Sequence, residues 1–224
     1  MDSRVDVIIP AYNERDRIES TVNAVKNLEY VERIIVVDDA SGDGTADIAE
    51  KLDVTLVRMK QNGGKGKAIR EGLKLSESEA VALLDGDLGS SAGELSKLIA
   101  PVIEGDADFT IAKFGKAKKK GGFGLVKQLA KRGVYFYTKQ EIDTTLSGQR
   151  VYRREVIDSI SYIPDRFGIE VAMTVEALRQ GYKLVEVEVD MTHAETGRDI
   201  SGFVHRGRQF WDILKTLIVI PFKR

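Results

Sequence analysis

Apolar, β-branched runs recur through the first half of this chain, at Val5–Ile9, Arg33–Asp38, Val54–Arg58, Ala80–Leu84 and Ala107–Ala112. Helical patterns fall between them, at about Asp16–Asn27, Thr45–Leu52, Lys67–Leu75 and Ala92–Ile103. Strands that are apolar at nearly every position are buried on both faces, and strand–helix alternation supplies the helices that bury them. The pattern predicts an α/β fold, a mostly parallel sheet flanked by helices. In such sheets ligands bind beyond the carboxyl ends of the strands. Polar clusters collect at those ends: Asn13 and Glu14 after the first run, Asp38 and Asp39 after the second, Asp85 and Asp87 after the fourth.

The second half is less regular. A helix is predicted near Arg153–Ser159 and another at Ile169–Gln180, stopped by Gly181. Lys183–Met191 alternates as a strand with one well-buried face. The stretch Val204–Phe222 sets Phe210, Ile213, Leu214, Leu217 and Ile218 along one helical stripe, with Trp211 beside it. At 224 residues and 42% hydrophobic, the chain suits one compact domain. The formal net charge of −1 gives no electrostatic case for a nucleic-acid partner. Without cysteine there is neither a disulfide nor a thiolate metal site, and no window approaches a membrane span. A cytoplasmic setting follows as the expectation.

Asp85-Gly86-Asp87 carries the sharpest chemical signal. Two carboxylates about 4 Å apart repel by roughly 4 kcal/mol at an effective dielectric near 20. A hard divalent cation, Mg²⁺ or Mn²⁺, bridging them to an anionic substrate such as a phosphate removes that repulsion. Gly63–Lys67 invites comparison with a phosphate loop but fails the pattern. Gln61 stands where the first glycine belongs, and Ala68 replaces the Ser or Thr that would hold Mg²⁺. It reads instead as a glycine turn opening a helix, with Lys65 or Lys67 close to a nucleotide or merely structural. From Phe109 to Gln140 there are nine Lys or Arg and no acid. An acceptor lid, a patch for anionic lipid head groups and a solvated loop all fit that asymmetry. For the terminal stripe, core packing, a homodimer and peripheral membrane contact stay open.

These segments together resemble the family 2 glycosyltransferases, whose nucleotide-sugar-binding fold is called GT-A. The matching pieces are Val7-Ile-Ile-Pro-Ala-Tyr-Asn-Glu14, Ile35-Val-Val-Asp-Asp-Ala-Ser-Gly-Asp-Gly-Thr45, Asn62-Gly-Gly-Lys-Gly-Lys-Ala68 and Leu83-Leu-Asp-Gly-Asp87. Further matches are Ser147-Gly-Gln-Arg-Val-Tyr-Arg-Arg-Glu155, Gly168-Ile-Glu-Val-Ala-Met-Thr174 and Glu186-Val-Glu-Val189. The later half is most similar to polyprenyl-phosphate sugar synthases and to glucosyl-3-phosphoglycerate synthases.

The resemblance implies a single domain, with a nucleotide-binding half at 1–112 and an acceptor-binding half at 113–224 ending in an amphipathic helix. It implies hexose transfer from a nucleoside diphosphate sugar, of UDP-glucose or GDP-mannose type, to a phosphate-bearing acceptor. That acceptor would be polyprenyl phosphate or a small phosphorylated acid. By the same resemblance Pro10, Ala11, Tyr12, Glu14 and Asp39 line the nucleoside pocket. Asp85 and Gly86 meet the donor, and Asp87 is the direct metal ligand, with Asp85 and His193 completing the site. From the residues themselves, Glu170 at the head of its helix would orient sugar hydroxyls or acceptor, or serve only the helix dipole; Lys65 and Lys67 fall near the nucleotide, and the cationic run Arg150, Arg153 and Arg154 fits a phosphate-bearing acceptor. Asp43 or Ser41 is expected to cap the helix near Thr45. A sugar-nucleotide pyrophosphorylase would carry a glycine-rich loop with an arginine after the first strand, where this chain has Ala-Tyr-Asn-Glu. A non-catalytic nucleotide-sugar-binding protein is the other alternative; the Asp85, Asp87 and His193 set argues against it.

Overall fold

The computed structural model describes residues 4–115, 124–192 and 200–220, with side chains of the last segment from 209 onward. The lysine cluster at 116–120 and His193 lie outside the described residues, as do the side chains of His205, Arg206 and Arg208.

Five strands follow the apolar runs: β1 (Val5–Ala11), β2 (Val31–Asp38), β3 (Thr55–Arg58), β4 (Ala80–Leu83) and β5 (Phe109–Phe114). Between them lie α1 (Ile18–Val25), α2 (Thr45–Ala49), α3 (Lys65–Leu73) and α4 (Leu95–Ile103), the last preceded by a 3₁₀ turn at Gly89–Glu94. The second half adds α5 (Leu125–Thr138), β6 (Arg150–Arg153), α6 (Arg154–Ser159), α7 (Ile169–Arg179), β7 (Leu184–Val189) and α8 (Ile200–Val219). One sheet runs β3-β2-β1-β4-β6-β5-β7, parallel except for β6, which is antiparallel to both neighbours.

Side chains of successive strand residues point to opposite faces, so each strand feeds two cores. Ile8, Ile35, Val37, Val81 and Phe109 pack beneath α3, α5, α6, α7 and α8. Val7, Ile9, Val36, Ala82 and Val151 pack beneath α1, α2 and α4. Eight of the eleven residues of α7 are buried, because it is sandwiched between the sheet and α5 and α8. Gly181 ends the sequence of α7 in a left-handed turn (φ 88°), as expected of a residue free of a Cβ.

Two elements escape the sequence reading. β6 reads Arg-Val-Tyr-Arg, too polar to be recognised as a strand, yet Tyr152 is buried and stacks on Phe109 at 5.4 Å between ring centres. α5 is hidden by its cations. One expectation is corrected outright: Arg150, Arg153 and Arg154 do not form a cationic run facing an acceptor. Because β6 is antiparallel, Arg150 lies opposite Leu83 at the carboxyl end of β4, whereas Arg153 lies opposite Ala80 at the far edge. Arg153 there pairs with Asp108 and Glu155, and Arg154 bonds Ser76 and the Ser78 carbonyl. The terminal stripe is also divided: Ile213 and Leu217 are buried, while Ile218 is turned outward.

Candidate active site

The loop leaving β1 is fastened to the loop leaving β2. Asn13 N–H donates to Ser41 Oγ (2.9 Å), Glu14 N–H to Thr45 Oγ1 (2.9 Å) and Arg15 N–H to Asp43 Oδ2 (3.1 Å). Asp43 also accepts from Thr45 N–H at the start of α2, whose N-cap is Gly44 and carries no side-chain bond, so the cap expected of Asp43 or Ser41 is replaced by a turn that Asp43 closes while Ser41 serves the loop. Pro10 and Ala11 end β1, and Tyr12 projects from the loop with half its surface exposed.

Asp39 is buried, and its carboxylate accepts from Gly63 N–H (2.6 Å) and Gly64 N–H (2.8 Å). It thereby clamps the glycine turn that starts α3. Asp38 points elsewhere: one oxygen accepts from Ser41 N–H and the other, Oδ1, is buried without a hydrogen bond. Asp38 borders a cleft of about 410 Å³ lined also by Ser41, Gly42, Asp47, Arg58 and Met59. Sequence reasoning favoured Asp39 for the nucleoside; the buried unpaired oxygen on its neighbour was invisible to it.

The acidic turn after β4 is braced from α1. Thr21 Oγ1 donates to the Gly86 carbonyl (2.9 Å) and accepts from Gly89 N–H (2.8 Å), and the Arg17 guanidinium donates to the Asp87 carbonyl (3.3 Å). Asp85 and Asp87 thus project from a turn held at both sides. Glu14 stands against Gly86 and completes a crowd of three carboxylates. Burial first, then the charges of Asp87, Asp85 and Asp43, push its carboxyl up to about 7. A divalent cation held beside Asp85 and Asp87 would relieve the repulsion that raises Glu14. Among the described residues no group of three or more Asp, Glu, His or Cys is placed to hold a metal ion, so donor oxygens would have to complete the coordination.

Glu14 ionisation has a testable sign. Its folded carboxyl holds a proton to higher pH than the unfolded one, so folding stability falls as pH rises from about 4.5 to about 7. Glu14→Gln removes that loss. Thermal melts without metal should show the variant gaining on the parent between pH 5 and pH 8; a difference independent of pH would refute the crowding.

Lys65, in the first turn of α3, lies between Asp85 Oδ1 (2.6 Å) and Glu170 Oε1 (3.2 Å). Burial alone would lower its pKa, but the two carboxylates outweigh it and hold the ammonium above the usual lysine value. The other Asp85 oxygen accepts from Gln149 Nε2 (2.6 Å), on a fully buried side chain. Gln149 and the neighbouring Gly148 fall in a segment that matches the family, but nothing in the sequence gives them a role, because their partner Asp85 lies on a distant segment. Lys67 instead folds back over Gly63. Arg150 is 1% exposed, and its guanidinium donates to Ser147 O, Thr145 O, Tyr152 OH and Thr174 Oγ1. Where a phosphate contact was expected, Arg150 is a buried strut for the loop carrying Gly148 and Gln149.

Asp190 N–H and Thr192 N–H donate to Glu94 Oε2 (3.1 Å) and Ser91 Oγ (3.0 Å). The chain leaving β7 is therefore tied to the 3₁₀ turn that follows Asp87.

Acids, an amide and a lysine thus gather at the carboxyl rim of a parallel-rich sheet, where α/β folds bind their ligands. The model of glycosyl transferase family 2 matches residues 6–161, and the chain belongs to that family. It is 28% identical over 200 residues to glycosyltransferase AglJ of Haloferax volcanii, with 87% of this chain and 65% of that one covered. It is 27% identical over 198 residues to a dolichol-phosphate mannosyltransferase of Pyrococcus furiosus, covering 82% of this chain and 55% of that one. The chain thus spans between half and two thirds of the length of these two relatives. In fold it is similar to glucosyl-3-phosphoglycerate synthase of Mycobacterium tuberculosis, solved with Mn²⁺, UDP and phosphoglyceric acid. The TM-score is 0.81 at 21% identity, over 97% of this chain and 78% of that one. The GT-A architecture expected from the sequence is present. Among the described residues no helix is long and apolar enough to cross a membrane.

Proposed function

We propose that this chain transfers a hexose from a nucleoside diphosphate sugar to a phosphate-bearing acceptor, with Mg²⁺ or Mn²⁺ at Asp87. The observation that carries the reading is the crowd of Glu14, Asp85 and Asp87 at the sheet rim, beside a lysine held between Asp85 and Glu170. Asp87 is the direct ligand in this reading, with Asp85 beside it. The tie of Thr192 to Ser91 supports His193 as a further ligand, since it brings the preceding backbone to the segment after Asp87. The cation, when bound, screens the donor diphosphate and stabilises charge on the leaving group.

The remaining tasks fall to the chain itself. Lys65 stays cationic at working pH and offers a fixed positive charge to the diphosphate. Asp85, set by Lys65 and Gln149, orients the donor, and Glu170 orients sugar hydroxyls or acceptor. The first half of the chain, 1–112, grips the nucleoside through Pro10–Glu14 and the Asp38–Asp39 pair, and the second half receives the acceptor. A phosphate acceptor with a pKa near ~6 arrives ionised and needs no strong general base. The names of two relatives above support that class: a dolichol-phosphate mannosyltransferase, and a glucosyl-3-phosphoglycerate synthase solved with phosphoglyceric acid.

The test is turnover of UDP-glucose and GDP-mannose with Mn²⁺, with and without a polyprenyl phosphate or 3-phosphoglycerate, following nucleoside diphosphate release. Acceptor-stimulated release is expected with one donor. Formation of pyrophosphate from a sugar phosphate and a nucleoside triphosphate would replace the reading with pyrophosphorolysis. Metal-dependent donor binding without turnover on any acceptor would reduce it to a binding protein.

A further inference from the structure

We infer that the outward face of α5 and α8 is a docking surface for an anionic lipid bilayer. The two helices form the outermost layer over the buried α7. Their inward contacts are complete: Ala130, Val134, Ile213 and Leu217 are buried, and Tyr137 OH donates to the Leu217 carbonyl (2.6 Å). Gly133 lets α5 approach α8, since a Cβ there would come within 2.5 Å of the Leu217 side chain.

The outward faces are unlike an ordinary solvated surface. Five of the eight large apolar or aromatic side chains exposed among the described residues sit here: Leu125, Tyr135, Phe136, Trp211 and Ile218. Phe136 is 67% exposed and Trp211 62%. Leu125, Arg132, Tyr135, Phe136 and Lys139 share the side of α5 opposite its buried Ala130 and Val134; Trp211, Lys215 and Ile218 follow one another at helical spacing on α8. Scattered exposed apolar residues are normal, but clustering of this kind marks an interaction surface.

The charges select the partner. α5 contains Lys127, Lys131 and Arg132 and no acid, with Lys139 just past its end, within a stretch of nine cations and no carboxylate in a chain whose net charge is only −1; Lys131 is paired with Asp143, so Arg132, Lys139 and, on α8, Lys215 carry the charge of the outward face. Lys139 Nζ lies 5.3 Å from the Phe136 ring centre and 5.9 Å from that of Tyr135, so cation and aromatic groups are interleaved. An isologous contact between two copies would set this cationic face against itself. An anionic bilayer accepts both components: aromatic side chains sit at the head-group level, and each nearby Lys or Arg contributes about 1 kcal/mol. The inference goes beyond the transfer reading and does not require it. The layer beneath, α7, carries Glu170 in its first turn, so the bilayer would lie on that carboxylate's side of the sheet.

The chain has one tryptophan, Trp211, which makes the test direct. The protein is titrated with vesicles of phosphatidylglycerol and phosphatidylcholine, and with pure phosphatidylcholine, following Trp emission and cosedimentation. The expected result is a blue shift with the anionic vesicles, at least about tenfold weaker binding to the neutral ones, and loss in high salt. Phe136→Ser and the double variant Arg132→Glu with Lys139→Glu, checked by melting temperature, should each weaken binding by about tenfold or more. Folded protein that ignores anionic vesicles overturns the inference. So does a lipid-free, concentration-dependent emission shift with doubled sedimenting mass that Phe136→Ser abolishes, since a second copy would then occupy the face. Donor turnover with a water-soluble acceptor, measured on the same preparations, separates either failure from failure of the transfer reading.

Discussion

Asp87→Ala is expected to abolish Mn²⁺-dependent donor binding and to lower transfer by about a thousandfold or more. A metal that supplies several kcal/mol of charge stabilisation accounts for a loss of that size, at tenfold per 1.4 kcal/mol. The fold should survive. Thr21 braces the turn through the Gly86 carbonyl and Gly89 N–H, and Arg17 holds the Asp87 carbonyl, so none of these bonds uses the deleted carboxylate. Asp87 is also the largest charge raising Glu14, and its removal should let the Glu14 carboxyl fall back toward the ordinary range. Near neutral pH the metal-free variant is therefore expected to melt no lower than the parent. Calorimetric titration of UDP with and without Mn²⁺ is the deciding measurement. Unchanged metal-dependent affinity would take Asp87 out of the site, and a collapse in melting temperature would assign it to the fold instead.

The parts of this architecture visible in the sequence are those that local chemistry dictates. β1, β2 and β4 lie inside the sheet under helices on both faces, so their apolar runs leave little alternative, and Asp85-Gly86-Asp87 declares itself by ending such a run. The parts that stayed hidden depend on partners far along the chain. Gln149 is an unremarkable polar residue until β6 is seen pairing with β4, which carries it to Asp85. Arg150 looks like a phosphate ligand in any linear reading; only the loop of Thr145 and Ser147, folding over it, turns it into an internal strut. α3 begins at Lys65, two residues ahead of the sequence expectation, because Gly66 N–H bonds the Asp165 carbonyl and fixes the turn from outside the helix. α5 was masked by the cations on its outer face, its inward stripe being only Ala130, Gly133 and Val134 among other small or partly buried residues.

Gly148→Ala should separate site geometry from stability more cleanly than any charge deletion. A Cβ at 148 would lie 2.5 Å from Lys65 Nζ and 2.8 and 3.1 Å from the Asp85 oxygens, inside the ion pair that sets the donor carboxylate. The groups it meets are the ends of two side chains, which can swing aside at little cost to the fold. The expected outcome is a melting temperature within a few degrees of the parent and a fall in kcat/KM of about a hundredfold or more, since misplacement by about 1 Å costs that much. Gly66→Ala is the matched control. There the added Cβ would overlap the Pro164 carbonyl oxygen, which is backbone and cannot rotate away. Overpacking of that kind costs about 1–3 kcal/mol, or a drop of roughly 2–12 °C for a chain of this size. If Gly148→Ala kept full activity, the Lys65–Asp85 pair would have no part in placing the donor. If it melted as low as Gly66→Ala, the pair would belong to the scaffold, and the division between the acidic rim and the framework beneath it would have to be redrawn.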